Sequence, residues 1–162
     1  MGNPAADVVG YPFTAFNFGV EIRVPGVSEQ LCSASFAECD GLEMTMEVKT
    51  IKDGGNNATL VRLPGMLGYG TLTLKRGMTA SFDLWHWFSA VVRDPTIRAS
   101  GEVVVFAPDR QTERARFVLG RCLPTKLKAP ALNAKDGAVA IEELQLAYET
   151  MVLKEPAGAS GG

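Results

Sequence analysis

Period-two alternation constrains this chain more than any other feature of it. Phe16, Phe18, Val20 and Ile22 alternate with Asn17, Gly19, Glu21 and Arg23. Leu42, Met44, Met46 and Val48 alternate with Glu43, Thr45, Glu47 and Lys49, and Leu72 and Leu74 alternate with Thr71, Thr73 and Lys75. Successive side chains of an extended strand point to opposite faces, so each stretch has one face to bury and one for water. Strands of this kind joined by turns predict antiparallel sheets with one covered face.

Punctuation between the strands fits that reading. Val24-Pro25-Gly26-Val27 and Leu63-Pro64-Gly65-Met66 carry the proline and glycine of type II turns. Lys52-Asp53-Gly54-Gly55-Asn56-Asn57 is a polar loop with little capacity to pack. Residues 31–39 form a second strand, and 58–63 resume extended structure. Residues 102–107 and 114–119 flank DRQTE as a hairpin, and Val103, Val104, Val105 and Phe106, apolar without alternation, predict a strand covered on both faces. Met44 and Met46 are read as core-facing packing.

One stretch breaks the period. Leu84, Trp85, Phe88, Val91 and Val92 recur on one helical face over residues 81–93, with Thr79 or Ser81 available as a cap and Asp94-Pro95 as a stop. Near the C-terminus Ile141, Leu144, Tyr148 and Met151 suit a helix while Leu144, Leu146 and Tyr148 suit a strand. The Asp136-Gly137 turn just before them favours a hairpin entry and a strand. The expected fold class is therefore mainly β, with antiparallel sheets and one strong helix. Repeats are absent from the sequence, and 162 residues suit a single domain, placed at 14–153 between flexible arms at 1–13 and 154–162.

Chemistry is harder to find. A net charge of −2, from 16 basic and 18 acidic residues without blocks of one sign, gives no electrostatic case for nucleic acid or an anionic membrane. Cys32, Cys39 and Cys122 are too few and too scattered for a disulfide framework or a structural zinc site, and fit a reducing compartment as small buried hydrophobes. No signal peptide or membrane-spanning run is legible. His86, the one histidine, follows Asp83 and sits between two tryptophans, but no nucleophile motif accompanies it, and a place on the flank of the helix accounts for it. The GMLGYG stretch lacks the lysine of a P-loop, and Glu142 and Glu143, adjacent on a strand, point to opposite faces. The expectation is no enzyme, no metal and no cofactor. Strands 42–49 and 71–75 contain no proline and little lysine, which leaves their edges open to pairing with another copy of the chain.

Six blocks in order carry a resemblance: FNFGVEI (16–22), AECDGLEMTMEV (37–48), IKDGGNNATLVRLPG (51–65), GTLTLKRGMT (70–79) followed by the tryptophan-bearing helix, PTKLKAPALNA (124–134) and AIEELQLAYE (140–149). In these the chain resembles the tail-tube protein family of contractile phage tails and phage-tail-like contractile injection systems, the group that includes antifeeding prophages. The resemblance spans roughly residues 14–153. It implies a tail-tube fold, an antiparallel β-sandwich or barrel with one packed helix, assembling into a hexameric ring with an inner β-barrel around a channel, and rings stacked inside a contractile sheath that drives the tube through a target envelope. A type VI secretion-like tube protein shares this architecture, and a ligand-binding β-barrel is the alternative from another class.

The resemblance also sets expectations for individual residues. The closing block is a strand. Lys52, Asp53, Gly54, Gly55, Asn56 and Asn57 contact the adjacent ring or subunit. Glu43, Thr45, Glu47, Lys49, Thr71, Thr73 and Lys75 are the candidate channel lining, with the competing view that one of these faces turns outward to the sheath. Leu84, Trp85, Phe88, Val91 and Val92 are helix core, while His86 and Trp87 are partly exposed. Partners are further copies, the sheath, baseplate, spike and terminating proteins, and a protein or nucleic-acid cargo in the channel. Assembly is expected in the bacterial cytoplasm, with the tube then part of the particle and no stable membrane association.

Overall fold

A computed structural model describes residues 17–25, 36–52, 54–55, 59–135 and 137–156. The alternating stretches become strands: β1 (Phe18–Arg23), β2 (Glu38–Asp40), β3 (Met44–Lys52), β4 (Leu60–Tyr69) and β5 (Thr71–Gly77). The helix α1 (Asp83–Arg93) follows, then β6 (Ala99–Phe106), β7 (Glu113–Lys128), β8 (Ile141–Ala147) and β9 (Thr150–Lys154). All pairings among them are antiparallel. The fold is thus mainly β with one helix, and the closing block is a strand. Phe16 and most of the expected 31–39 strand lie outside the described residues, as do the expected N-terminal arm and residues 157–162 of the C-terminal one, whose first residue, Lys154, ends β9.

Two layers share long strands. β1, β6, the first half of β7 and β9 make one layer; the second half of β7, with β8, β5 and β2, makes the other. The chain turns the corner twice at one place, at Gly120-Arg121 within β7 and at Tyr148-Glu149 between β8 and β9. There the Glu149 N–H donates to the Gly120 carbonyl at 3.0 Å, and Arg121 takes a positive φ of 53°. The closing strand expected over 140–149 is β8, which ends just before the corner; β9, which follows in the other layer, was not expected.

The core lies between the layers and consists of the expected faces: Val20 and Ile22, Leu72 and Leu74, Val103 and Leu119, Leu144 and Leu146. DRQTE does form the β6–β7 turn, where Asp109 accepts from the Gln111 and Thr112 backbone N–H groups at 2.8 and 2.9 Å. The Thr112 side chain and these amides hold the Asp109 carboxyl down at about 2. Val103 and Val104 are both buried, as a strand covered on two faces requires.

Helix α1 closes one end of the sandwich against β7, but not with the expected face. Leu84 and Trp87 are fully buried and Val91 packs on the core, whereas Trp85 and Phe88 are half-buried and Val92 is 69% exposed. At 100° per residue the buried stripe centres between Leu84, Trp87 and Val91, about 65° from the predicted one. Neither Thr79 nor Ser81 caps the helix: Phe82 occupies the cap in the left-handed region, and the Asp83 carboxylate accepts the Leu84 N–H at 2.9 Å. The Asp94 stop is as expected, its N–H bonding the Ala90 carbonyl at 2.9 Å.

Candidate functional site

Strands β3 and β4 stand apart from both layers as a separate two-stranded sheet. Every residue of β3 is exposed, and the hairpin holds out nine large apolar side chains, from Leu63 at 42% to Met66 at 75% exposure. Met44 and Met46, expected in the core, are more than half exposed. Alternation had marked a face to be covered, but within one chain nothing described covers it. A lone two-stranded hairpin is marginal in water, and a cluster of exposed apolar residues on this scale marks an interaction surface.

Leu63-Pro64-Gly65-Met66, read in sequence as a turn, lies inside β4. Met46 pairs with Leu67 and Val48 with Pro64, so two residues of β4 oppose the single Glu47 and make a bulge. Glycine is required there, since a Cβ on Gly65 would sit 2.8 Å from the Glu47 carbonyl oxygen. The proline is tolerated because β4 pairs with β3 alone, an edge position beside a bulge where a missing N–H can face outward. Register sorts the side chains. Met44, Met46 and Val48 share one face with Leu67, and Thr45, Glu47 and Lys49 share the other, where Ile51, Val61 and Leu63 sit near the tip. The tip itself is the expected polar loop, with Lys52 ending β3 and Gly54-Gly55 in an exposed turn; Asp53, Asn56 and Asn57 lie outside the described residues.

The base of the hairpin is clamped. Tyr148, buried, donates its hydroxyl to the Gly41 carbonyl at 2.7 Å and accepts the Glu43 N–H at 3.1 Å, while its ring lies tilted 5.4 Å from that of Tyr69. The Gly70 N–H bonds the Glu43 carbonyl at 3.0 Å. Gly41 has a φ of 108°, and a Cβ there would lie 1.9 Å from the Thr71 oxygen. That close approach is why the "GLE" block needs its glycine.

The candidate lining residues fall on two surfaces that meet at Glu43 and Gly70. One is the polar face of β3. The other is the face of β5 opposite the core, where Thr71, Thr73 and Lys75 lie beside Gln145 and Glu143 of β8 and Asp40 and Glu38 of β2. Lys75 pairs with Glu38 at 3.3 Å and Gln145 donates to Glu143 at 3.0 Å. Glu38, Asp40, Glu143 and Gln145 were missed in sequence, although the β8 alternation already separates Glu143 and Gln145 from Leu144 and Leu146. The result is a flat sheet face of threonine, amide and mixed charge.

Arg76, next along β5 after Lys75, is buried beneath that sheet at 2% exposure. Its Nε donates to Glu142 Oε1 at 2.6 Å, its terminal nitrogens engage Asp83 at the start of α1, and its guanidinium lies 5.4 Å from the Phe36 ring centroid. The other Glu142 oxygen accepts from Trp85 Nε1 at 3.2 Å. This network ties the helix to β5 and β8 and sets its rotation. Glu142→Gln keeps the shape and removes the charge facing Arg76. Chemical denaturation should register a loss of about 2–4 kcal/mol; a loss near zero would mean that Asp83 alone satisfies the guanidinium.

The described candidates for chemistry lie apart from one another. His86 is exposed on the outer side of α1. Burial, with a smaller contribution from Asp40, pushes the Cys39 thiol up to about 11, and burial, opposed by a backbone bond from Gly101, does the same to Cys122. Cys32 lies outside the described residues, and among those described no cluster of His, Cys, Asp and Glu could hold a metal. No described helix is long and apolar enough to cross a membrane.

Residues 14–152 match the family model of the T4-like virus tail tube protein gp19. Among solved structures, a chain of the anti-feeding prophage baseplate superposes with a TM-score of 0.79 at 23% identity, covering 90% of this chain and 97% of that one. A chain of the sheath–tube complex of PVC, an extracellular contractile injection system, gives 0.75 at 17% identity over 95% and 99%. A chain of the anti-feeding prophage tube-terminating cap gives 0.75 at 17% over 96% and 99%. No curated protein matches the sequence.

Proposed function

The chain belongs to the T4-like virus tail tube protein gp19 family, whose members are structural tube proteins, and from that premise we propose that it is the inner-tube subunit of a contractile injection system or contractile phage tail. Six copies close into a ring, rings stack into a tube, and a contracting sheath drives the tube through a target envelope to deliver a cargo. The observation that carries the reading is a family match over nearly the whole described fold, in a chain that holds out a hairpin no described residue covers.

In the ring, Thr71, Thr73 and Lys75 of β5 and Glu43, Thr45, Glu47 and Lys49 of β3 line the channel, joined by Glu143 and Gln145. A lining of hydroxyl, amide and mixed charge offers a moving polymer little apolar surface to stick to, the apolar residues of that hairpin face, Ile51, Val61 and Leu63, lying near its tip. The 52–57 loop, at the hairpin tip, contacts the adjacent ring. A barrel closed across subunits has no free strand edges and so transmits axial thrust without a weak seam. Sheath, baseplate and terminating proteins are the partners, consistent with the complexes that hold the structural neighbours.

Electron microscopy of the purified chain, with light-scattering mass over a range of concentrations, tests this. Six-fold rings or stacked tubes with an open channel are expected. A chain that stays monomeric, and also fails to enter tubes when produced together with its sheath and baseplate proteins, would overturn the reading.

A further inference from the structure

Methionine is unevenly spread along this chain. Three of its six methionines, Met44, Met46 and Met66, stand on the β3–β4 hairpin at 58%, 55% and 75% exposure. Met151, by contrast, packs on the core, and Met78 is 37% exposed. A thioether serves as a flexible apolar filler only while it is reduced; as the sulfoxide it is polar and chiral and no longer suits an apolar contact. Met44 and Met46 lie two residues apart on the apolar face of the hairpin, where Met46 pairs with Leu67. Met66, one residue before Leu67, turns to the face of Thr45 and Glu47.

We propose that Met44 and Met46 form an oxidation-sensitive site, and that hydrogen peroxide, by converting their thioethers to sulfoxides, takes the free subunit out of assembly. The proposal rests on the tube reading, in which the hairpin meets other copies, and adds to it a control by oxidants. In the reaction a sulfur lone pair attacks one peroxide oxygen. The S–O bond forms as the O–O bond breaks, and the sulfur gives up two electrons. The departing hydroxide takes the proton of the transferred hydroxyl and leaves as water. Thiol-dependent sulfoxide reductases return the thioether, so the modification is reversible.

Three observations carry it. The first is place: neither residue belongs to the core cluster and β3 is exposed along its full length, so an added oxygen leaves the domain itself intact. The second is register. Met44 and Met46 share their face with Val48 and Leu67, and two sulfoxides set strong acceptors in the middle of that apolar patch. The third is the lack of competition from the described thiols. Burial, with the smaller effects of Asp40 on Cys39 and Gly101 on Cys122, holds both up at about 11, which keeps them protonated and slow toward peroxide near neutral pH. On the tube reading the same face is covered once tubes form, so the control acts on subunits still to be assembled.

The test treats the full-length chain with hydrogen peroxide before assembly and places each added oxygen by peptide mass spectrometry. Met44, Met46 and Met66 should oxidise ahead of Met78 and Met151. Denaturation curves should not move, and tube yield should fall roughly tenfold or more. Dithiothreitol alone should not restore the yield; dithiothreitol with methionine sulfoxide reductases for both epimers should. The double variant Met44→Leu, Met46→Leu keeps an apolar face and should assemble at parent yield before and after peroxide, whereas Met66→Leu should stay sensitive. Met44→Gln with Met46→Gln makes the polarity permanent, and should fold normally yet give the low yield with no oxidant at all. Undiminished yield once Met44 and Met46 are oxidised, or from the glutamine variant, would overturn the proposal and leave the tube reading intact. So would equal peroxide losses in the leucine variant and the parent, recovery with dithiothreitol alone, which would lay the effect on a cysteine, or a fall in unfolding midpoint large enough to account for the loss. An untreated parent chain that forms no tubes under any condition removes the tube reading, and this proposal with it.

Discussion

A chain whose hairpin, residues 44–69, is replaced by a short turn should remain a folded monomer and should build no tubes. The core cluster contains no residue between 43 and 68, and only Tyr69 and Leu42 at the hairpin base pack against it. Glu43 and Gly70 are already joined by a 3.0 Å hydrogen bond, so a short turn can bridge them without moving Gly41 or Tyr148. Losing a segment that buries little should change unfolding free energy by no more than about 1–2 kcal/mol, with the shorter loop offsetting part of the loss. Removing nine exposed apolar side chains should also raise the solubility of the monomer. Denaturation curves and electron microscopy read the two effects separately. Tubes that still form would show that the hairpin is not an assembly element, and an unfolded product would show that it belongs to the domain core after all.

The same hairpin explains what the sequence could and could not convey. Alternation at 42–48 announces a strand with one apolar face and is correct about that. It carries no information on whether the covering surface comes from the same chain or the next, because burial in a core and burial in an assembly impose the same pattern on a strand. Pro64-Gly65 reads as a turn from dipeptide chemistry alone; that it is a bulge depends on β3 running alongside, a pairing between residues almost twenty apart. The corner at Tyr148-Glu149 is hidden for a similar reason, since two layers use consecutive parts of one alternating stretch. The β6–β7 hairpin and the core faces of β1, β5 and β8, by contrast, depend only on local alternation and turn chemistry, and these were legible. The polar face of β5 was half legible: Thr71, Thr73 and Lys75 stand out on their own strand, whereas Glu38 and Asp40 join them only through cross-strand register.

Helix α1 poses the sharpest quantitative question, because the two tryptophans exchange their expected places. Trp87 is at 0% exposure and Trp85 is only half-buried. Periodicity finds a helix here but leaves its rotation open: with aromatic residues at 85, 87 and 88, stripes centred near Phe88 or near Trp87 are both apolar. The choice is made by polar groups, Arg76 holding Asp83 in the first turn and Glu142 holding the Trp85 indole. Trp87→Ala should therefore be the more damaging truncation, by about 3–5 kcal/mol through lost burial and the cavity left behind. For a domain of this size that lowers the melting temperature by on the order of 10 °C. Trp85→Ala should lose about 1–2 kcal/mol, from a half-buried ring and one hydrogen bond, and Val92→Ala should lose almost nothing. Trp87→Phe separates volume from polarity. The Trp87 indole N–H is buried without a partner among the described residues, so its removal relieves an unsatisfied donor and offsets part of the lost volume. Trp87→Phe should then fall within about 1.5 kcal/mol of the parent. If thermal and chemical denaturation instead rank Trp85→Ala and Val92→Ala above Trp87→Ala, the helix sits in the rotation its periodicity suggested. The Arg76–Glu142–Asp83 network then does not set it.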